Sequence, residues 1–209
     1  MDLILKYFKD LTPKQIEQFE QLMPLYHDWN QKINVISRKD MDFFEEKHVL
    51  HSLAIANLNL FKPQDKVMDL GAGGGFPGVP LAIFYPDVQF TLVDSIKKKT
   101  VVMEEVVNAL GLDNVRIING RAEEVKEKFN YVVCRAVAPL VKLNSWCHKA
   151  IDKKSPEHGL ICLKGGDLKE EINEFEERYR NLQVVNYALS EIFKEEFFTT
   201  KRIIRVMDY

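Results

Sequence analysis

Glycine is missing from the first 62 residues of this 209-residue chain, and cysteine is scarce throughout, with three in all. Cys134, Cys147 and Cys162 form no CxxC pair and share no metal-ligand spacing with a histidine, which excludes a zinc ribbon or a disulfide scaffold. An odd count suits a reducing compartment, so a cytoplasmic protein is expected, with Cys134 and Cys162 acting as small buried hydrophobes in apolar runs. No stretch approaches the ~18 apolar residues of a membrane-spanning helix, and Met1–Lys6 lacks the apolar core of a signal peptide. Charge of one sign is also missing: 29 Lys and Arg face 31 Asp and Glu, for a net charge of -2, so the total does not announce a nucleic-acid binder. No Ser/His/Asp arrangement, metal cluster or activated cysteine is visible, which leaves no residue to nominate for catalysis and no metal to expect. Thirteen Phe and seven Tyr, by contrast, are far too many aromatics for a disordered chain.

What is present falls into two textures, residues 1–62 and residues 63–209, read as a helical cap and a larger α/β unit packed together. In the first, Ile16, Phe19, Leu22, Met23, Tyr26 and Trp29 step by three or four, the period of an amphipathic helix. Thr12 is its N-cap, Pro13 its first residue, and Gln15 completes a capping box; Pro24 should kink or divide it. A second helix is expected from about Asp40 through Phe44, His48 and Leu53, with His48 and His51 either on its exposed side or inside. After Pro63, apolar runs at Lys66–Leu70, Gln89–Val93, Val115–Ile118, Tyr131–Cys134 and Leu160–Leu163 read as strands. Helical stretches at Val101–Leu110, Leu140–Ile151 and Leu168–Tyr179 alternate with them, so βαβ units and a parallel sheet follow. Leu182–Leu189 and Arg202–Val206 have no strong helix between them and read as a closing antiparallel hairpin. The fold class is therefore α/β: a Rossmann-like, doubly wound, seven-stranded sheet behind an N-terminal helical extension.

Five of the ten glycines fall within eight residues, at Gly71, Gly73, Gly74, Gly75 and Gly78, directly after the first strand. A glycine-rich turn there is where a doubly wound sheet takes a nucleotide-like ligand. Gly73–Gly78 matches the dinucleotide pattern GxGxxG, but it starts late after the strand, and Pro77 removes an N–H that a pyrophosphate would use. Asp69, just before the first glycine, would repel a pyrophosphate and suits a ligand carrying an ammonium and a sulfonium, namely S-adenosylmethionine. Asp94, at the end of the second strand, stands where an acid meets ribose hydroxyls, and alternatively where the next helix needs an N-cap. Ala122 and Glu123 follow the third strand, and Arg135 the fourth, where an ion-paired surface arginine is the other reading.

These residues carry a resemblance. Trp29-Asn30 with Asn34, His48-Val49-Leu50-His51-Ser52, Asp69 through Pro80, Leu92-Val93-Asp94-Ser95, Arg121-Ala122-Glu123-Glu124, Arg135-Ala136-Val137-Ala138, Lys164-Gly165 and Arg202 are similar to the bacterial small-subunit ribosomal RNA methyltransferase G family, also called glucose-inhibited division protein B. The family usually has Asp where this chain has His51. The resemblance implies methyl transfer from S-adenosylmethionine to N7 of a guanine in 16S ribosomal RNA. It also implies a cofactor surrounded by Gly71, Phe76, Ala122, Glu123 and Arg135, which with Asp69, Gly73, Gly75 and Asp94 make up the expected cofactor site. The target is small-subunit ribosomal RNA or a ribosomal particle, with no membrane and no obligate protein partner, so a monomer is the default. Arg38, Lys39, Lys97, Lys98, Lys99, Lys164, Lys201 and Arg202 are the candidates for a basic rim gripping the RNA, although each run alone also reads as a solvated surface.

Overall fold

The computed structural model describes every residue except Ala136 and Tyr209; Ala136, part of the Arg135–Ala138 match, lies outside the described residues. Seven strands form one sheet in the order β3-β2-β1-β4-β5-β7-β6: β1 Lys66–Leu70, β2 Gln89–Asp94, β3 Val115–Asn119, β4 Tyr131–Arg135, β5 Gly159–Gly165, β6 Leu182–Ala188 and β7 Lys201–Asp208. Strands β1 to β5 are parallel, and β7 runs antiparallel to both β5 and β6, as expected of the hairpin. The chain steps outward from β1 to β3 and then crosses back to β4, so the sheet order reverses between β1 and β4. That switch point opens a crevice at the carboxyl ends of the strands.

The central strands β1, β2, β4 and β5 are buried along nearly their whole length and mostly apolar because helices cover both faces. The pleat divides them into two cores: Val67 and Leu92 pack with Phe19, Leu22 and Tyr26, whereas Met68, Leu70 and Cys134 pack with Leu143 and Phe175. The N-terminal helices thus share a core with the sheet. Cys134 and Cys162 are register partners on β4 and β5, buried and free, as the apolar runs around them imply.

Helix α1 (Asp2–Tyr7) is an addition to the sequence reading. Helix α2 (Pro13–Lys32) has the expected capping box between Thr12 and Gln15. Pro24 does not divide it, because Pro24 and Glu20, whose carbonyl loses its partner, are at exposed positions, where an unpaired carbonyl need not be buried. After α3 (Arg38–Met41), a π-helical stretch Glu45–Leu50 leads into α4 (His51–Leu53) and a 3-10 turn at Ala54–Leu58. His48 and His51 are only 9% and 6% exposed, which decides between the two sequence readings. Every residue from His48 to Ala56 is buried, because α1 packs against the π-helical stretch and α5 (Gly78–Phe84) against α4. Helix α6 (Lys97–Ala109) starts earlier than its apolar pattern, taking the lysine run into its first turn. Helix α7 (Leu140–Cys147) stops short of Ile151, and α8 (Lys169–Arg178) keeps nearly its expected span.

Candidate functional site

A cavity of about 520 Å³ opens at the carboxyl ends of β1 to β4, a size usual for a site that takes a small organic ligand. Its walls include the loop Gly71–Gly74 with Phe76, then Asp94, Ala122, Glu123 and Arg135. The loop is shaped by backbone conformations that side chains rarely adopt, with φ of +67° at Gly71 and +96° at Gly75. At Gly71 a Cβ would stand 3.0 Å from the Val137 side chain, a tight contact that the valine would have to yield to by a few tenths of an ångström. At Gly75 it would stand 2.7 Å from Val79 Cγ2 and 3.0 Å from the Tyr26 hydroxyl.

Asp94 ties the loop to the sheet. Its Oδ2 accepts the Gly73 N–H at 2.8 Å and its Oδ1 the Ile96 N–H at 2.8 Å. The N-cap of α6 is Ile96, whose side chain makes no cap bond, so Asp94 is not that cap. It makes a local Asx-type bond instead, and its side chain lines the cavity. The main-chain oxygen of Asp94 accepts from Gly120 N and Asn119 Nδ2, which brings the Ala122–Glu123 turn to the same rim.

Two expected cofactor residues stand behind the wall. Asp69 is fully buried and absent from the cavity lining, because the pleat of β1 turns it, like Val67, to the face covered by α5. Its Oδ2 accepts the Gly78 N–H at 2.7 Å, while its Oδ1 is buried without a partner. Burial pushes this carboxyl up to about 7, opposed by the Gly78 N–H and by the charge of Arg135. The Gly78 N–H is therefore consumed by a carboxylate, which removes the GxGxxG match as a pyrophosphate site. Gly75 likewise faces Tyr26 and Val79 rather than the cavity.

The N-terminal segment builds part of the site. The Tyr26 hydroxyl donates to the Gly74 carbonyl. Asn30 Oδ1 accepts from Val35 N and Ile36 N while Nδ2 donates to Ile36 O, and Val35 lines the cavity. Arg135 Nη1 donates to the Lys47 carbonyl at 3.1 Å, Nη2 meets His48 Nδ1 at 3.0 Å, and the guanidinium lies 5.1 Å from the centre of the Phe76 ring. Burial lowers the Arg135 pKa to about 10, which leaves it charged at neutral pH. His51 packs edge-on against Phe197 and Phe198, and burial followed by the charges of Arg135 and Lys201 holds its imidazole neutral.

The basic candidates do not form one set. Arg38, Lys39, Lys97 and Lys98 are exposed, and Lys99 is half-buried on the cavity wall. Lys201 and Arg202 are half-buried on β7, with Lys201 Nζ 4.7 Å from the centre of the Phe197 ring. Lys164 is a correction: it is 9% exposed, and its ammonium is spent on Glu171 at 2.6 Å and the Ala138 carbonyl at 2.8 Å. The sequence reading did not single out Val35, Ser95, Ile96, Val137 or Trp146, all of which line the cavity. Ser95 and Val137 belong to motif segments of the sequence; Val35 comes from the loop after α2 that Asn30 holds, and Trp146 from α7, and neither position carries a local signal. Among the described residues no cluster of His, Cys, Asp and Glu is disposed to hold a metal ion, and no helix is long and apolar enough to cross a membrane.

A family model described as rRNA small subunit methyltransferase G matches residues 15–199. The chain is 54% identical over 207 residues to the ribosomal RNA small subunit methyltransferase G of Bacteroides thetaiotaomicron, covering 98% of each chain. It is 49% identical over 209 residues to the protein of that name from Flavobacterium johnsoniae, covering 99% of this chain and 97% of that one. Among solved structures, a SAM-dependent methyltransferase from Thiobacillus denitrificans in complex with S-adenosyl-L-homocysteine superimposes with a TM-score of 0.54 at 14% identity, covering 83% of this chain and 99% of that one. An rRNA methylase from Streptococcus thermophilus gives 0.54 at 13% identity, covering 78% and 98%. At such identities the two structures attest the fold.

Proposed function

The chain belongs to the rRNA small subunit methyltransferase G family, and from that membership we propose that it methylates N7 of a guanine in 16S ribosomal RNA using S-adenosylmethionine. The observation that carries the reading is the gathering of Gly71, Asp94, Ala122 and Arg135 around one cavity at the switch point. The cofactor supplies, when bound, an electrophilic methyl group on a sulfonium. The residues present fit it. Asp94 would offer a carboxylate to ribose hydroxyls, Ala122 and Glu123 would take the adenine end, Gly71 and Gly73 would allow close backbone approach, and the guanidinium of Arg135 on Phe76 would suit the methionine carboxylate. Asp69 and Gly75 hold the loop from behind.

Guanine N7 is an in-plane lone pair on a neutral ring, so the attack needs no general base. Positioning for in-line displacement is then the task of the site. N7 lies on the major-groove edge, closed to proteins in A-form RNA, so the target guanine sits in a loop or is splayed out. Arg38, Lys39, Lys97, Lys98, Lys99, Lys201 and Arg202 form the basic rim in this reading, with residues 1–62 as a helical cap on the 63–209 unit and the protein acting as a cytoplasmic monomer. The test is methyl transfer from labelled S-adenosylmethionine to small ribosomal subunits from cells lacking the protein, with the labelled nucleotide mapped. Label at one guanine N7 is expected. No label on subunits or naked ribosomal RNA, with cofactor binding intact, would return the substrate to another class.

A further inference from the structure

We infer that His48 is a positioning residue for Arg135: its Nδ1 accepts a hydrogen bond from the guanidinium and fixes how Arg135 presents itself to the cofactor cavity. The inference rests on the proposed reading of Arg135 as a cofactor residue.

Arg135 carries five N–H donors on a long, rotatable stem, and only a restrained guanidinium offers a defined face to a ligand. Two hydrogen bonds restrain it, one from Nη1 to the Lys47 carbonyl and one from Nη2 to His48 Nδ1. The first uses the main chain, so any residue at position 47 would supply it. The second depends on the side chain at 48 alone. A guanidinium has no lone pair to offer, so Nδ1 must be the acceptor and the ring proton must sit on Nε2. Nε2 is buried and has no hydrogen-bond partner. Its ring packs 5.2 Å from the Phe76 ring and 5.9 Å from the Phe44 ring, an environment that an apolar side chain would fill without burying an unpaired N–H. Packing alone therefore does not account for histidine here; the Nδ1 acceptor does. Burial and the charges of Arg135 and Lys47 outweigh Asp40 and hold the ring neutral, which keeps that lone pair available.

The test is calorimetric titration of the full chain with S-adenosylmethionine, alongside melting of the unliganded protein. His48→Phe keeps a ring and removes the acceptor; His48→Asn places an amide oxygen close to where Nδ1 stands; His48→Leu repeats the first comparison without overpacking. We expect His48→Phe or His48→Leu to weaken binding about tenfold and His48→Asn to recover to within about threefold of wild type. In an Arg135→Met background the His48 substitutions should change affinity by less than about twofold, since the group they position is gone. Equal loss in His48→Asn and His48→Phe, or the same loss with and without Arg135, would overturn the positioning role and leave His48 a packing residue. Wild-type affinity in Arg135→Met itself would instead remove the cofactor reading of Arg135, and the inference with it.

Discussion

Replacing Asp94 by asparagine separates two tasks that one carboxylate performs. Its oxygens accept the Gly73 and Ile96 N–H groups, each at 2.8 Å, and the side chain also borders the cavity. A hydrogen bond to a charged group is worth roughly 1.5–3 kcal/mol. Asparagine keeps one acceptor oxygen and turns an NH₂ towards the other donor, so one bond is lost and the survivor is no longer charge-assisted. A loss of about 2 kcal/mol corresponds to roughly thirtyfold in a binding constant. Where that loss appears depends on which bond breaks. The Gly73 bond orders the loop before the ligand arrives, so its loss raises the ordering cost of binding. The Ile96 bond tethers the start of α6, so its loss shows in the unliganded protein. Titration with S-adenosyl-L-homocysteine and thermal melting of the unliganded variant read the two separately. We expect affinity to fall roughly 10- to 100-fold. Melting should fall by about 4–8 °C if the loss of about 2 kcal/mol falls on the Ile96 bond, since about 1 kcal/mol moves a chain of this size by roughly 2–4 °C. Affinity within twofold of wild type would refute the assignment of Asp94 to the cofactor site.

Gly75→Ala should destabilise the protein by about 2–4 kcal/mol, from the positive φ and the contacts its Cβ would make with Val79 and Tyr26; chemical unfolding measures it, and an unchanged midpoint would count against the packed loop. Lys97→Gln with Lys98→Gln should flatten the dependence of RNA affinity on salt by about 0.7–0.9 per phosphate contact removed, whereas Lys164→Met should leave that slope alone and lower stability by stranding Glu171; a slope that follows Lys164 would reverse this assignment. Asp69 has a folded pKa of about 7 against an ordinary 3.8. Between those values the folded state holds a proton that the unfolded chain has released, so the Asp69 contribution to stability is present below pH 3.8 and lost as pH rises to 7. His48, lowered to about 3 from 6.5, acts the other way: below pH 6.5 the unfolded imidazole takes a proton that the folded one refuses, and stability falls. Melting of wild type and Asp69→Asn from pH 4 to 8 should therefore show the variant gaining on wild type as pH rises; parallel curves would exclude a raised Asp69 pKa.

Much of the fold was legible because period and punctuation are local properties. The apolar runs at β1 to β5 are short, are separated by stretches of helical spacing and so read as strands of βαβ units; β1, β2, β4 and β5 are buried almost throughout, and the edge strand β3 only in part. The Thr12–Gln15 capping box and the glycine loop involve residues three to eight apart, so their physics is complete within the segment that carries it. The cavity inherits this legibility wherever it is built from strand ends: Asp94 and Arg135 close β2 and β4, Gly71 and Ala122 follow β1 and β3, and parallel strands carry their carboxyl ends to one edge.

The tertiary structure decided which way side chains face and what they meet. Asp69 and Asp94 both stand at strand ends in the sequence, yet the pleat turns the first under α5 and leaves the second at the cavity. Lys164 reads like any other lysine until β5 delivers it, nearly buried, beside Glu171 of α8. His48 and His51 look like polar helix positions, but α1 and α5 cover that segment from two sides, and burial changes both their exposure and their charge. Tyr26, Asn30, Val35 and Lys47 come to the cofactor edge from the N-terminal segment, 24 or more positions away from the glycine loop or Arg135 in sequence. Contacts at such separations arise from packing two layers into one core, and no spacing rule along the chain encodes them.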